Sequence, residues 1–387
     1  MKKRILYSML IAASTMVGFA SCDSFLEENP RDQITEEQAY KNSTLIYLNT
    51  VASLYTQVGG SSGGAGLQGT DRGIYDLNTF TTDEAMLPTR GGDWYDGGLW
   101  QNLFHHAWGT KNDLLKGSWD YLYKVIAQTN ASLDKLNSIL KEDPNNKVIP
   151  PYIAEVRAFR AMYYYYLLDM FARVPIVTSS KVELKDVEQS ERSAVFNFVK
   201  KELEETVEQL SDAHSNLSGE YYGRMTKPVA YLLLAKIALN SEIYADDNWT
   251  DGTKIDGKTI KFTVDGEEKN AWEATIAYCD KITALGYKLE PKFASNFSTT
   301  NENSVENIFT IPMDRNLYKN EFYYLIRSRH YSHAKAYGQG GWNGASATKE
   351  AIDAFGYNTA AQDPRFDLTY YAGKIEGPAG IIKLDDG

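Results

Sequence analysis

From Trp119 onward, apolar residues recur at three-, four- or seven-residue spacing. Leu122, Ile126, Leu133, Leu136 and Leu140 predict one amphipathic helix, closed by Asp143-Pro144. A second starts after Pro150-Pro151 and carries Tyr152, Val156, Phe159, Tyr163, Leu167 and Met170 on one face, ending at Val174-Pro175. A third is marked by Phe196, Val199, Leu203, Val207 and Leu210. The fourth opens at Thr226-Lys227-Pro228, a capping threonine with proline in the first turn, and runs through Val229, Leu233 and Ile237. Residues 272–285 also read as helical. Tyr163, Tyr164, Tyr165 and Tyr166 are consecutive, so some of them should lie on a rim. Helix pairs of this length resemble tetratricopeptide units, although no repeat consensus is legible.

Between these helices the pattern breaks. Residues 58–73 and 338–346 are glycine-rich, and residues 246–270 are polar with glycines and short β-like runs. The predicted fold is therefore mostly α, a tetratricopeptide-like helical scaffold with long ligand-binding loops and a few short β-strands. Loops of that length usually carry function.

The amino end predicts export. Lys2, Lys3 and Arg4 precede an uncharged apolar run over residues 5–20. That run is shorter than the roughly 20 residues a membrane-spanning helix needs. Phe19-Ala20-Ser21-Cys22 follows as a lipoprotein-type cleavage site, with phenylalanine where leucine is usual. Residues 1–21 are read as the lipoprotein signal peptide and residues 22–387 as a single domain. Cys22 would be the lipid attachment point, and multiple acylation there would hold the protein stably on a membrane. With Cys22 acylated, the other cysteine, Cys279, has no disulfide partner in the chain and reads as a small core residue.

Charge narrows the partners. The chain carries a formal net charge of −11, and loss of the three basic signal residues takes it to −14. No basic patch of the kind that binds nucleic acid is visible.

Several segments form a recognisable series along the chain. They begin with Cys22-Asp23-Ser24-Phe25-Leu26-Glu27-Glu28-Asn29-Pro30. Next come Ile153-Ala154-Glu155-Val156-Arg157-Ala158-Phe159-Arg160-Ala161 with the four tyrosines and Val174-Pro175. Arg224-Met225-Thr226-Lys227, then Asn301-Glu302-Asn303-Ser304 before Ile308-Phe309, and Asp363-Pro364-Arg365-Phe366 complete the set. In that order they resemble the SusD/RagB family of Bacteroidetes outer-membrane lipoproteins, and the resemblance implies a helical scaffold with a loop-rich ligand region. It also implies a cell-surface lipoprotein that captures a glycan and closes over a SusC-like TonB-dependent transporter. Members of the family normally continue beyond the position of Gly387 with further helices, so the chain is expected to be a fragment.

The candidate site is Thr89-Arg90-Gly91-Gly92-Asp93-Trp94-Tyr95-Asp96-Gly97-Gly98. Sugars present apolar C–H faces and hydroxyl rims, so their sites combine aromatic planes with polar donors and acceptors. Trp94 offers a plane with Tyr95 beside it, Asp93 and Asp96 accept from hydroxyls, and Arg90 donates. The resemblance places Trp94 on the glycan and matches Tyr318 and Trp342 to the tyrosine and tryptophan that complete a starch-binding arc, leaning towards an α-glucan. A loop tryptophan can also simply anchor its loop, and Tyr318 carries the same alternative. Trp100, Trp108, Trp119, Trp249 and Trp272 are read as core or packing residues.

Other chemistries fit less well. Thr81-Thr82-Asp83-Glu84 reads as a cap rather than an acid/base cluster. His105 and His106 are adjacent and point apart on a helix, with no third ligand at zinc spacing. Asp93 and Asp96 could in principle serve a glycosidase. They share one glycine-rich loop, and no nucleophile elbow, P-loop or zincin motif is present. The expectation is a binding protein without enzymatic activity, cofactor or metal. Peptide capture by the same RagB-like scaffold is the alternative.

Overall fold

The computed structural model describes residues 35–60, 65–67, 71–313 and 326–384. The chain divides into two compact units, residues 1–49 and 50–387. In the first, the helix Glu36–Ala39 starts on a capping box between Thr35 and Gln38, and the helix Ser43–Tyr47 is capped by the Asn42 side chain.

The second unit contains α1 (Ile74–Phe80), α2 (Leu99–Phe104), α3 (Asp113–Glu142), α4 (Ile149–Phe171), α5 (Arg192–Thr206), α6 (Lys227–Leu239) and α7 (Ala271–Ala284). Packing runs from α3 to α4, from α4 to α5, and between α6 and α7. The helical, strand-poor architecture expected from the periodicity is what the chain adopts. Helix α3 begins earlier than the Trp119 start of the sequence reading, because Asn112 caps it by accepting from the amides of Leu114 and Leu115 at 3.0 and 3.2 Å. Leu114 and Leu115 lie in its first turn, separated from the pattern at Trp119 by Lys116-Gly117-Ser118, whereas Asp143-Pro144 ends it as the pattern predicts.

Helix α4 narrows one reading. Tyr163, Tyr164 and Tyr165 are all buried, and only Tyr166 sits on a rim. Three consecutive residues sweep about 200° of a helix at 3.6 residues per turn, so α4 is enclosed on most sides. Hydrogen bonds make that burial tolerable. The Tyr163 and Tyr121 hydroxyls meet at 2.9 Å, and the Tyr164 hydroxyl donates to the Val177 carbonyl at 3.0 Å while accepting from the Val177 amide at 2.7 Å.

The charged residues of α4 form a lattice with neighbouring elements. Arg224 donates to both oxygens of Glu155 at 3.0 and 2.6 Å, and the Tyr55 hydroxyl donates to Glu155 at 2.7 Å. Arg160 spans Glu202 on α5 at 2.7 Å and Asn130 on α3 at 2.8 Å. Arg157 donates to Glu202 and Glu205. Glu155, Arg160, Glu202 and Arg224 are buried, so removing one partner would strand a charge at a cost of about 3–5 kcal/mol.

The strands are short. β1 (Ala85–Met86) pairs antiparallel with β4 (Ser346–Ala347), with Ala85 opposite Ala347 and Met86 opposite Ser346. β2 (Lys261–Val264) and β3 (Glu267–Asn270) form a hairpin across Asp265-Gly266, both with positive φ, the preference of a tight two-residue turn. β5 (Glu376–Gly377) pairs with β6 (Gly380–Ile381). Asn270 closes the hairpin and starts α7 through a capping box with Glu273.

Other side-chain readings need correction. Cys279 is exposed rather than in the core, because α7 turns its buried stripe (Ala271, Ala274, Tyr278, Ile282) away from that position. Trp100 is fully buried, as read, and Trp119 packs on Tyr123 and Phe171. Trp272 packs closely on Gly257, where a Cβ would approach the ring to 2.5 Å. Trp108 and Trp249 are instead exposed, at 38% and 53%.

Candidate functional site

The β1–β4 pairing joins segments far apart in sequence, and it brings the Trp94 loop beside the Trp342 loop. Within the first loop, Arg90 and Asp93 exchange backbone hydrogen bonds of 3.0 and 2.9 Å across Gly91-Gly92. Trp94 and Asp96 then adopt left-handed backbone, with φ of 63° and 41°, followed by Gly97 and Gly98 in the same region. Non-glycine residues held there cost of order 1–3 kcal/mol each and concentrate at functional sites.

The two tryptophans meet. Their ring centroids lie 6.5 Å apart with planes tilted by 33°, and the Trp94 indole N–H donates to the Trp342 carbonyl at 3.1 Å. Trp94 also rests on Gly344, where a Cβ would approach its ring to 2.9 Å, and it packs against the cluster of Leu77, Phe80, Leu87, Trp100, Leu103 and Leu114. Both indoles are half-buried. Trp94 is therefore an anchor of its loop that also leaves part of its ring exposed at the candidate site.

Polar groups surround the pair. Arg90 donates to the Ser346 hydroxyl at 2.6 Å, linking the two loops at the strand pair. Asp93 is exposed and accepts from the Tyr331 hydroxyl at 3.4 Å; Tyr331 opens α8 (Tyr331–Ala336) and is 46% exposed. Tyr95 is 60% exposed. Asp96 plays a different part: its Oδ2 accepts from the Trp100 indole at 2.7 Å and from Arg72 at 3.2 Å. It shapes the loop more than it offers an acceptor. Tyr318 and Cys22 lie outside the described residues.

Two residues that sequence reading did not single out hold this arrangement. Arg327, 2% exposed, ion-pairs with Asp76 on α1 and with Asp71 at 3.1 Å, and its guanidinium lies 5.4 Å from the Phe80 and Trp100 rings. Its carbonyl accepts from the Gly344 amide at 2.6 Å, so the residue under the site also fixes the loop that carries Trp342. Burial raises the Asp76 carboxyl above its usual range even with Arg327 beside it. Tyr331 is the second. No motif marks either residue; an arginine in Ile326-Arg327-Ser328-Arg329 looks like ordinary surface charge.

The remaining clusters resolve into local structure. Thr82 accepts from the Glu84 amide at 3.3 Å and donates to the Thr79 carbonyl at 2.7 Å, a turn motif. His106 contacts the Thr81 carbonyl and His105 packs on Phe104. Among the described residues no group of three or more His, Cys, Asp or Glu side chains could hold a metal. No described helix is long and apolar enough to cross a membrane. A separate cavity of about 320 Å³ is lined by Glu204, Glu208, Tyr231, Tyr278 and Lys281 and contains none of the predicted site residues.

Comparison with known proteins agrees with the fold. Residues 63–239 match the family described as "SusD-like_3: Starch-binding associating with outer membrane". A SusD-like protein of Bacteroides ovatus is 23% identical over 309 residues, covering 78% of this chain and 49% of that protein. The starch-binding protein SusD of Bacteroides thetaiotaomicron is 22% identical over 313 residues, covering 78% of this chain and 50% of that protein. The chain spans about half the length of these curated relatives. Among solved structures, surface glycan-binding protein A of Bacteroides thetaiotaomicron, in complex with laminarihexaose, aligns with a TM-score of 0.58 at 18% identity, covering 81% of this chain and 61% of that one. With the helical scaffold and its short strand pairs, these matches show a chain similar in sequence and fold to SusD-like proteins.

Proposed function

We propose that this protein captures a neutral oligo- or polysaccharide at the cell surface and passes it, without chemistry, to a SusC-like TonB-dependent transporter. One observation carries the reading: Trp94 and Trp342 converge from distant loops, with Asp93, Tyr331 and Tyr95 exposed around them. A paired aromatic surface edged by hydroxyl and carboxylate groups suits the apolar face and hydroxyl rim of a pyranose. An α-glucan is the first candidate, in keeping with the relative named as starch-binding; the relative bound to laminarihexaose supports glucan chains more broadly. The signal sequence and Cys22 support an outer-membrane lipoprotein facing outward.

Absence of catalysis is part of the proposal. Glycoside hydrolysis needs two carboxyl groups flanking the bond, and Asp96 is engaged by Trp100 and Arg72. Isothermal titration against maltoheptaose, laminarihexaose and a mixed peptide library, with chromatography of the recovered sugars, tests both parts. The expected result is binding of a glucan with no shortening of the chain. Binding of peptides alone would instead favour the RagB-like alternative, and sugar cleavage lost in Asp93→Asn would make the protein an enzyme.

A further inference from the structure

We infer that Trp249 is a second carbohydrate platform, for a neutral hexopyranose chain, on the helical scaffold and separate from the Trp94–Trp342 site. The inference rests on the glycan reading above and extends it. Asp93-Trp94-Tyr95-Asp96-Gly97 has a counterpart in Asn248-Trp249-Thr250-Asp251-Gly252, an amide or acid before the tryptophan and Asp-Gly after the next residue. Both glycines adopt left-handed backbone, with φ of 67° and 75°.

The structure adds what a five-residue likeness cannot. Trp249 is 53% exposed, more than any other tryptophan among the described residues, and contributes little to the core. It is nevertheless held in place. The Arg192 and Arg173 guanidinium carbons lie 4.8 and 5.8 Å from its ring centroid. Arg192 Nε is itself fixed by donating to the Asp246 carbonyl at 2.8 Å. Asp247 accepts from the amide and hydroxyl of Ser193 at 2.8 and 2.6 Å, which pins the loop to the start of α5. An exposed indole restrained by cation–π contacts loses little freedom when a sugar ring settles on it. Arg173 and Arg192 are outnumbered by Glu191, Asp246, Asp247 and Asp251, so the surroundings favour an uncharged sugar over a sulfated or uronic one.

A glycan long enough to meet both platforms gains affinity from the second contact through effective concentration. The test uses the full chain in native gels containing starch or laminarin, with fluorescence titration by maltoheptaose and laminarihexaose. Variants are Trp249→Ala, Trp249→Tyr, the Trp94→Ala/Trp342→Ala pair, and the triple variant. Trp249→Ala should weaken polymer retardation about three- to tenfold, the value of one aromatic contact, and Trp249→Tyr should restore most of it. The Trp94→Ala/Trp342→Ala pair should retain weak oligosaccharide binding that disappears in the triple variant. Unchanged retardation in Trp249→Ala, with loss in the Trp94→Ala/Trp342→Ala pair, would overturn the second platform and leave the first site standing. No retardation of the wild-type chain in either gel would overturn both. Loss of a co-purifying transporter in Trp249→Ala, with retardation intact, would make Trp249 a protein contact and overturn the inference.

Discussion

Replacing Arg327 with methionine separates the support of the site from its surface. The side chain is buried, and its charge is balanced by Asp76, fully buried on α1, and by Asp71. Arg327→Met keeps much of the apolar contact with Phe80 and Trp100 but leaves Asp76 without its cation. Breaking a buried pair from one side costs about 3–5 kcal/mol, whereas replacing both partners by apolar residues is often neutral. Arg327→Met should therefore lower unfolding free energy by about that amount at pH 7.5, and Arg327→Met/Asp76→Leu should recover most of it. The pH dependence follows from the Asp76 carboxyl, which burial already holds above its ordinary value of 3.8. A carboxyl raised on folding favours the native state below its unfolded pKa, and that contribution is lost as pH rises through the folded pKa. Without Arg327 the folded value rises further, so the deficit of Arg327→Met should be largest at neutral pH and shrink towards pH 4. Glycan affinity should fall less than stability does, because methionine keeps the main-chain carbonyl that accepts from Gly344 and holds the Trp342 loop. Urea unfolding across this pH range, beside oligosaccharide titration, measures both effects. A loss below about 1 kcal/mol at pH 7.5, or one of equal size at pH 5, would refute the ion-pair account.

Further outcomes follow from other contacts. Trp342→Ala removes a ring but keeps the carbonyl that accepts from Trp94, so glucan affinity should drop about three- to tenfold with little change in Tm. Trp94→Ala should lose both affinity and about 1–3 kcal/mol of stability, because its half-buried ring packs on Gly344 and the Leu77–Leu114 cluster; parallel titrations and melts decide. Glu306 is held below its ordinary value of 4.5 by the Glu290 amide and by Asn296. The stability this supplies is complete above the unfolded value and lost as pH falls through the folded one. Melts of wild type and Glu306→Gln should therefore converge below about pH 4.5, and a constant gap would count against the assignment.

The helices were legible because their apolar positions repeat over many turns, and the residues closing α3, α4 and α6 carry their own stop and start chemistry. What escaped the sequence is long-range or environmental. β1 and β4 are two residues each, too short to display alternation, yet their pairing assembles the site. Local pattern alone cannot tell how many neighbours a helix has, so the enclosure of Tyr163–Tyr165 was missed, as was the exposure of Trp108, Trp249 and Cys279. Trp94 and Trp342 stood out as aromatics among glycines, and the structure brings them together. Arg327 and Tyr331 had no such mark.

The segments that carry the family resemblance are mostly spent on the scaffold. Glu155, Arg157, Arg160 and Arg224 are engaged in ion pairs that tie α3, α4, α5 and the start of α6 together. Ser304 donates to Asn296 at 2.7 Å and its carbonyl accepts from Asn216 at 2.6 Å, while Asp363 and Arg365 pair with each other. None of the contacts just named involves Trp94, Asp93 or Trp342. A buried charge tolerates little substitution, since any single change strands its partner; a loop hinged by glycines on the surface can change its aromatics at small cost to the fold. On the proposed reading, the chain keeps a legible family resemblance while its ligand preference would rest on the loops at residues 89–98 and 338–346. Likeness to a starch-binding or laminarihexaose-bound relative accordingly weighs more for the architecture than for the choice of sugar. Under the proposal, that choice would lie with the pair of indoles, the Asp93–Tyr331 contact and the exposed Tyr95.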